Sequence, residues 1–114
     1  MIEVIILNAL DAELNVPVVM EVPEERPQSY VVVEKTGSQR TNRLDSATFA
    51  IQSIAPTLYE AAALNENVKG IMDSLPETEP TIFRAELNGD YNFTDAETKE
   101  RRYQAVYIIT YKEF

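Results

Sequence analysis

One segment limits the possible folds more than any other. Residues 58–75 place Leu58, Ala61, Leu64, Val68, Ile71, Met72 and Leu75 on one side of a helical repeat, while the stretches on either side alternate with a period of two. Thr57 and Glu60 stand in the Thr-x-x-Glu spacing that caps a helix start, just after Pro56, and Pro76 is expected to stop the helix after Leu75. An amphipathic helix of about 18 residues between two strands has to lie on the sheet that those strands belong to, because both apolar surfaces need cover. Gly70 inside that helix costs about 1 kcal/mol relative to Ala, which predicts a close packing contact there.

The remaining elements follow from the same two periods. Residues 2–14 put Ile2, Ile5, Ile6, Ala9, Leu10 and Leu14 near one helical face, with Glu3, Asp11 and Glu13 largely elsewhere. This predicts a first helix ended by Asn15 and Pro17, although the run Val4-Ile5-Ile6-Leu7 also suits a buried strand. A strand of about five residues fits between Pro17 and Pro23, and its prolines place it at a sheet edge. Residues 29–36 form the next β-prone run, closed by a turn at Gly37-Ser38. In residues 44–54, Ala47, Phe49 and Ile51 fall on one face and Thr48 and Gln52 on the other, so this strand pairs with the previous one as a hairpin around residues 37–43. Residues 80–87 and 102–112 read as two more strands. The last alternates Tyr103, Ala105, Tyr107, Ile109 and Tyr111 with Gln104, Val106, Ile108 and Thr110, which is apolar on both faces and therefore central. Between them, Asn88-Gly89-Asp90-Tyr91-Asn92-Phe93-Thr94-Asp95 opens a turn-rich connection that lasts to about Glu100. The expected fold class is α+β, in the order α-β-β-β-α-β-β. It is a mostly antiparallel sheet of about four or five strands with two helices packed on one face and protruding hairpin loops, in one domain over residues 1–114.

Composition narrows the function. A chain of 114 residues that is 45% hydrophobic, with six Tyr and four Phe, has enough apolar mass for one packed core and does not read as disordered. Ten basic against nineteen acidic residues leave a formal charge of −9, which argues against nonspecific nucleic-acid binding. The sequence holds no Cys and no His, so it lacks a thiolate, a thiolate zinc ligand and the commonest general base. The expectation is a protein that is not an enzyme and carries no cofactor. No run reaches the roughly 18 apolar residues of a membrane span. The apolar start has no cationic region before it, carries Glu3, Asp11 and Glu13, and is followed by no small-residue cleavage site, which points to a cytoplasm or something assembled there.

The acidic residues are the remaining candidates for chemistry. Glu21, Glu24 and Glu25 cluster beside the proline-rich turn. Asp90-x-Asn92-x-Thr94-Asp95 resembles a calcium loop in its spacing, but the sixth position is not Gly and the twelfth is Arg101 instead of a bidentate Glu, so solvated turn residues are the better reading. Glu77 and Glu79, after the long helix, have no His or basic residue beside them and read as a solubility feature. Three scattered glycines make no phosphate loop. Lys99, Arg101 and Arg102 form the densest positive cluster, yet they lie among Glu97 and Glu100, which favours salt bridges at a surface or between subunits. The tyrosines at 103, 107 and 111 read as sheet core.

Several of these stretches match a known pattern. Val16-Pro17-Val18, then Val22-Pro23-Glu24-Glu25-Arg26-Pro27-Gln28-Ser29-Tyr30-Val31-Val32-Val33-Glu34-Lys35-Thr36-Gly37, resembles the opening of the tail terminator (tail completion) proteins of long-tailed bacteriophages. Asp45-x-Ala47-x-Phe49-Ala50-Ile51-Gln52-Ser53 is similar to the next strand of that family, Glu60-Ala61 to the start of its main helix, and Arg102-Tyr103-Gln104-Ala105-Val106 to its last strand. The resemblance implies a structural virion protein at the head-proximal end of a tail, assembled in the bacterial cytoplasm as a homo-hexameric ring. Such a ring ends tube polymerisation, binds the tail tube protein and the head-connector or neck protein, and lets DNA pass through its lumen without specific binding. It implies no membrane contact, and an acidic domain suits a conduit that repels phosphate. The two hairpin tips would be the binding elements, the second ordering only on contact. On this reading the subunit or tube interface draws on Glu21, Glu24, Glu25, Arg26, Arg40, Arg43, Asp95, Lys99, Arg101 and Arg102, with Glu21, Glu24 and Glu25 meeting Lys99, Arg101 and Arg102 of the next subunit. The alternatives are a head–tail connector or neck completion protein and, more remotely, an acidic DNA-mimic inhibitor.

Overall fold

In a computed structural model, which describes residues 1–112, the chain opens with α1 (Ile2–Glu13). Ile2, Ile6 and Leu10 recur every four residues and are all buried, so the first run is a helix and not a strand. After it come β1 (Val18–Val19), β2 (Tyr30–Thr41), β3 (Leu44–Ala55), α2 (Leu58–Asp73), the short α3 (Leu75–Thr78), β4 (Ile82–Asn92) and β5 (Arg101–Tyr111). The strands form one sheet in the order β1-β2-β3-β5-β4; β1 lies parallel to β2 and every other neighbouring pair is antiparallel. The fold is α+β in the expected order, with α3 added after the long helix.

The helices lie on one face because only one face of the sheet is continuously apolar. Val31 and Val33 of β2, Ala47, Phe49 and Ile51 of β3, and Ala105, Tyr107, Ile109 and Tyr111 of β5 point into the same core as Ile6, Leu10, Val68, Met72 and Leu75 from the helices. β5 sits between β3 and β4, the central place that its two apolar faces imply. Since β5 fills that slot, the chain leaving β3 must cross over it to reach β4, and α2 makes the crossing. Its start is capped as the sequence predicts, with the Glu60 amide donating to Thr57 Oγ1 at 3.1 Å. The opposite face carries a small second cluster at one end, formed by Tyr30, Val32 and Ile54 with Val19 against them.

Five local expectations are corrected. β1 is an edge strand but has two residues instead of about five: its pairing with β2 ends at Val19–Val32, and the chain bends away at Met20 and Glu21. Gly37-Ser38 does not turn the chain. β2 continues through a bulge between Lys35 and Gly37 as far as Thr41, and the turn falls on Asn42 and Arg43, which both take positive φ (51° and 68°). Such a two-residue turn follows the right-handed twist of the strands. Asn88-Gly89 is not a turn either. β4 runs on to Asn92 with a bulge between Leu87 and Gly89, and a Cβ at Gly89 would lie 3.3 Å from the Tyr91 ring. Pro76 does not stop the helical path, since it occupies the first turn of α3, where its missing N–H costs no bond. Gly70 marks no close contact: a Cβ there would meet nothing within 4 Å.

Candidate functional site

The residues singled out for their charge lead to the end of the sheet where the β4–β5 connection folds back over the open face. Glu100, the last residue before β5, joins three segments there. Its Oε2 accepts from Arg26 Nη1 and from the Tyr30 hydroxyl, both at 3.1 Å, and its Oε1 accepts from Arg102 Nη2 at 2.6 Å. Arg102 also donates to Gln52 Oε1 at 3.0 Å, Gln52 donates to Gln104 at 3.1 Å, and Gln104 donates to the Tyr91 hydroxyl at 2.5 Å. A hydrogen-bonded belt therefore crosses the open face from the segment before β2 to β4. Gln52 and Gln104 are register partners on β3 and β5, which is why their amides meet. Burial pushes the Tyr30 hydroxyl above its ordinary range, and its bond to Glu100 adds to that shift.

Asp95 organises the connection itself. Its Oδ1 accepts from the amides of Glu97 (2.8 Å) and Thr98 (3.2 Å), and these N–H groups, Thr98 first, hold its carboxyl below the usual aspartate range. Lys99 takes positive φ (57°), and its amide donates to the Asp95 carbonyl at 2.8 Å.

The structure thus sorts the predicted residues. Glu21, Glu24 and Glu25 are exposed, as are Lys99 and Arg101. Arg26 and Arg102 are tied to Glu100 of their own chain, and Arg102 has only 13% of its side chain exposed. Lys99, Arg101 and Arg102 therefore do not present one positive patch: Arg102 faces inward and Arg101 outward. Arg40 pairs with Asp45 at 2.8 Å across the β2–β3 hairpin, and Arg43 is exposed at its turn. Sequence reasoning missed Glu100, Tyr30, Gln52 and Gln104. The available signal was a glutamine on each of two strands, on the faces opposite the apolar core residues.

Two further features were not read from the sequence. β4 is an edge strand, and Phe83, Leu87 and Tyr91, followed by Phe93 just beyond it, are 42–50% exposed. Tyr91 and Phe93 meet edge to face with ring centres 6.0 Å apart. On the helix-covered face, Asp90 accepts from Asn65 (2.8 Å) and pairs with Lys69 (2.6 Å); that Lys69 bond is the main force holding its carboxyl below the usual range, against partial burial. Tyr107 donates to Asp73 at 2.7 Å, and burial first, then Asp73, drives its hydroxyl upward. Among the described residues, no group of three or more acidic side chains is placed to hold a metal ion. No helix among them is long and apolar enough to cross a membrane. No protein-family model matches the chain, and no curated protein matches it.

Proposed function

We propose that the chain is a structural protein that works by self-assembly, as a bacteriophage tail terminator: a ring, hexameric on this reading, that caps the tail tube and presents a surface for the head connector. The observation that carries the reading is the way the fold exposes its protein-binding features. The β2–β3 hairpin ends in an exposed turn, and the edge strand β4 carries the exposed Phe83, Leu87 and Tyr91, the residue classes from which interface cores are built. The element order is also the one that the resemblance implies.

The charged contacts between subunits narrow accordingly. With Arg26 and Arg102 engaged at home, Lys99 and Arg101 remain to meet Glu21, Glu24 and Glu25 of the next copy. Native mass as a function of concentration tests the reading. The expected species has six times the 12.9 kDa chain mass, 77.4 kDa, and binds tail-tube protein in a pull-down. A monomer that also ignores the tube protein refutes it. Arg101→Glu is expected to weaken assembly, and unchanged assembly removes the Glu21–Glu25 contact.

A further inference from the structure

The helix layer does not close completely. Where the second half of α1 passes α2 and α3, it leaves an open groove of about 880 Å³. Leu64 and Ile71 form an apolar floor, and Gly70 keeps it clear, since apart from its chain neighbours and its own helix backbone no atom lies within 4 Å of the place its Cβ would take. The rim carries Glu13, Glu66, Glu77 and Glu79, and no Lys or Arg lines the groove. Glu66 is neutralised by Lys69 at 2.8 Å; Glu13, Glu77 and Glu79 have no ion pair among the described residues. An apolar floor with an acidic rim suits a segment that carries a cation beside an aliphatic side chain.

The β2–β3 hairpin ends in such a segment. Its turn presents Arg43, which has no ion pair among the described residues, directly before Leu44, 39% exposed. The hairpin contributes nothing to the groove of its own chain, whose walls come from α1, the residues after it, α2 and α3. It stands instead beside the start of α1, where Lys35 pairs with Glu3 at 3.1 Å. From Glu3 to Glu13 the helix advances about 15 Å.

We propose that the Arg43-Leu44 turn of one copy docks in the groove between α1 and α2 of a second copy, Leu44 on the floor and Arg43 against Glu77 and Glu79. The proposal rests on the self-assembly reading and supplies its contact. Groove and hairpin are different patches, so the contact is heterologous: each copy still offers one unused patch, and the chain of copies ends only by closing into a ring.

The absence of cysteine from the sequence makes the test direct. Leu44→Cys and Gly70→Cys are prepared separately, mixed under mild oxidation and read on a non-reducing gel, while native mass follows the unmodified protein and Arg43→Glu. The expected result is a mixed disulfide dimer at least tenfold more abundant than in either variant alone. Arg43→Glu should raise the concentration at half-assembly at least tenfold, and Glu77→Lys with Glu79→Lys in the same chain should restore it. Assembly of the unmodified protein without the mixed disulfide, or insensitive to Arg43→Glu, overturns the docking and leaves self-assembly standing. A preponderance of Leu44→Cys homodimer overturns the heterologous arrangement. A protein that stays monomeric at every concentration and forms no mixed disulfide overturns the docking, and one that also ignores the tube protein overturns both.

Discussion

The two hairpins start from the same antiparallel pairing and end in opposite mechanical states. The β2–β3 hairpin has a two-residue turn, and every residue from 36 to 44 is exposed; its side-chain ties include Arg40–Asp45, a long bond from the Thr36 hydroxyl to the Thr48 carbonyl (3.4 Å) and, at its base, Lys35–Glu3 (3.1 Å). The β4–β5 hairpin has an eight-residue connection, residues 93–100, yet that connection is closed by its own backbone bonds and fastened to the sheet through Glu100. Loop length is thus a poor guide to freedom here. What decides is whether a side chain in the loop reaches a buried partner. The second connection has its ties within the chain, through Asp95 and Glu100.

Removing the fastening should abolish the difference, and this is the largest effect expected. Glu100→Ala leaves the buried Tyr30 hydroxyl without its acceptor and takes from the nearly buried Arg102 guanidinium its closest carboxylate, leaving it the Gln52 bond and the more distant Asp95. The expected loss is about 2–3 kcal/mol of global stability, because an orphaned buried donor costs more than the bond contributed. A lowered urea midpoint at unchanged slope, together with new proteolysis between residues 93 and 100, would show it. The matching change in the other hairpin, Arg40→Ala, should cost about 0.5–1 kcal/mol, since the Arg40 side chain of that pair is largely in water. Equal losses from the two changes would erase the contrast.

Backbone strain sharpens the comparison from the other side, with a smaller effect. Arg43 and Lys99 both hold positive φ, one in each hairpin. Glycine relieves that strain at the cost of a more mobile unfolded chain, so Arg43→Gly and Lys99→Gly should each stabilise by about 0.5–1 kcal/mol. Thermal melts of the two variants check this. Arg43→Gly should at the same time weaken self-association by at least tenfold, because it removes a side chain from the proposed docking turn, whereas Lys99→Gly removes one of the two cations proposed to meet Glu21, Glu24 and Glu25 and should weaken it less, since Arg101 remains.

These contrasts also explain which parts of the molecule were legible beforehand. The α2 stripe, its Thr57 cap, the central position of β5 and the antiparallel pairing of β2 with β3 follow from periodicity and capping, which are local and repeat along the chain. The strand ends were misplaced because glycine was taken as the turn former at 37 and 89. The chain instead turns at Asn42-Arg43 and absorbs Asn88 as a bulge, choices set by cross-strand register. The site was legible as charge and not as partnership. Arg26, Arg102 and Asp95 were singled out, but Glu100, the residue that joins Arg26 to Arg102, is separated from Arg26 by 74 positions, and no local pattern announces such a meeting. The groove was equally hidden: Glu77 and Glu79 read as solubility residues until the turn of α3 and the residue after it placed them on the same groove as Glu13.

Acid should separate the hairpins once more, through Asp95 and with the smallest effect. Its carboxyl accepts two backbone N–H bonds in the folded loop, and these bonds hold its folded pKa below the ordinary value of 3.8. A carboxylate depressed on folding contributes order that is fully present above the unfolded pKa and is lost as pH falls through the folded one. Protection of the Glu97 and Thr98 amides should therefore be constant from neutral pH down to about 4.5 and decline below about 4, while the protection of amides flanking the Asn42–Arg43 turn changes little. Asp95→Asn, which keeps the acceptor and removes the titration, should flatten the decline. Hydrogen exchange corrected for intrinsic rates reads all three outcomes. If the two turns loosened together on acidification, the stiffness of the longer one would come from the sheet beneath it and not from the carboxylates within it.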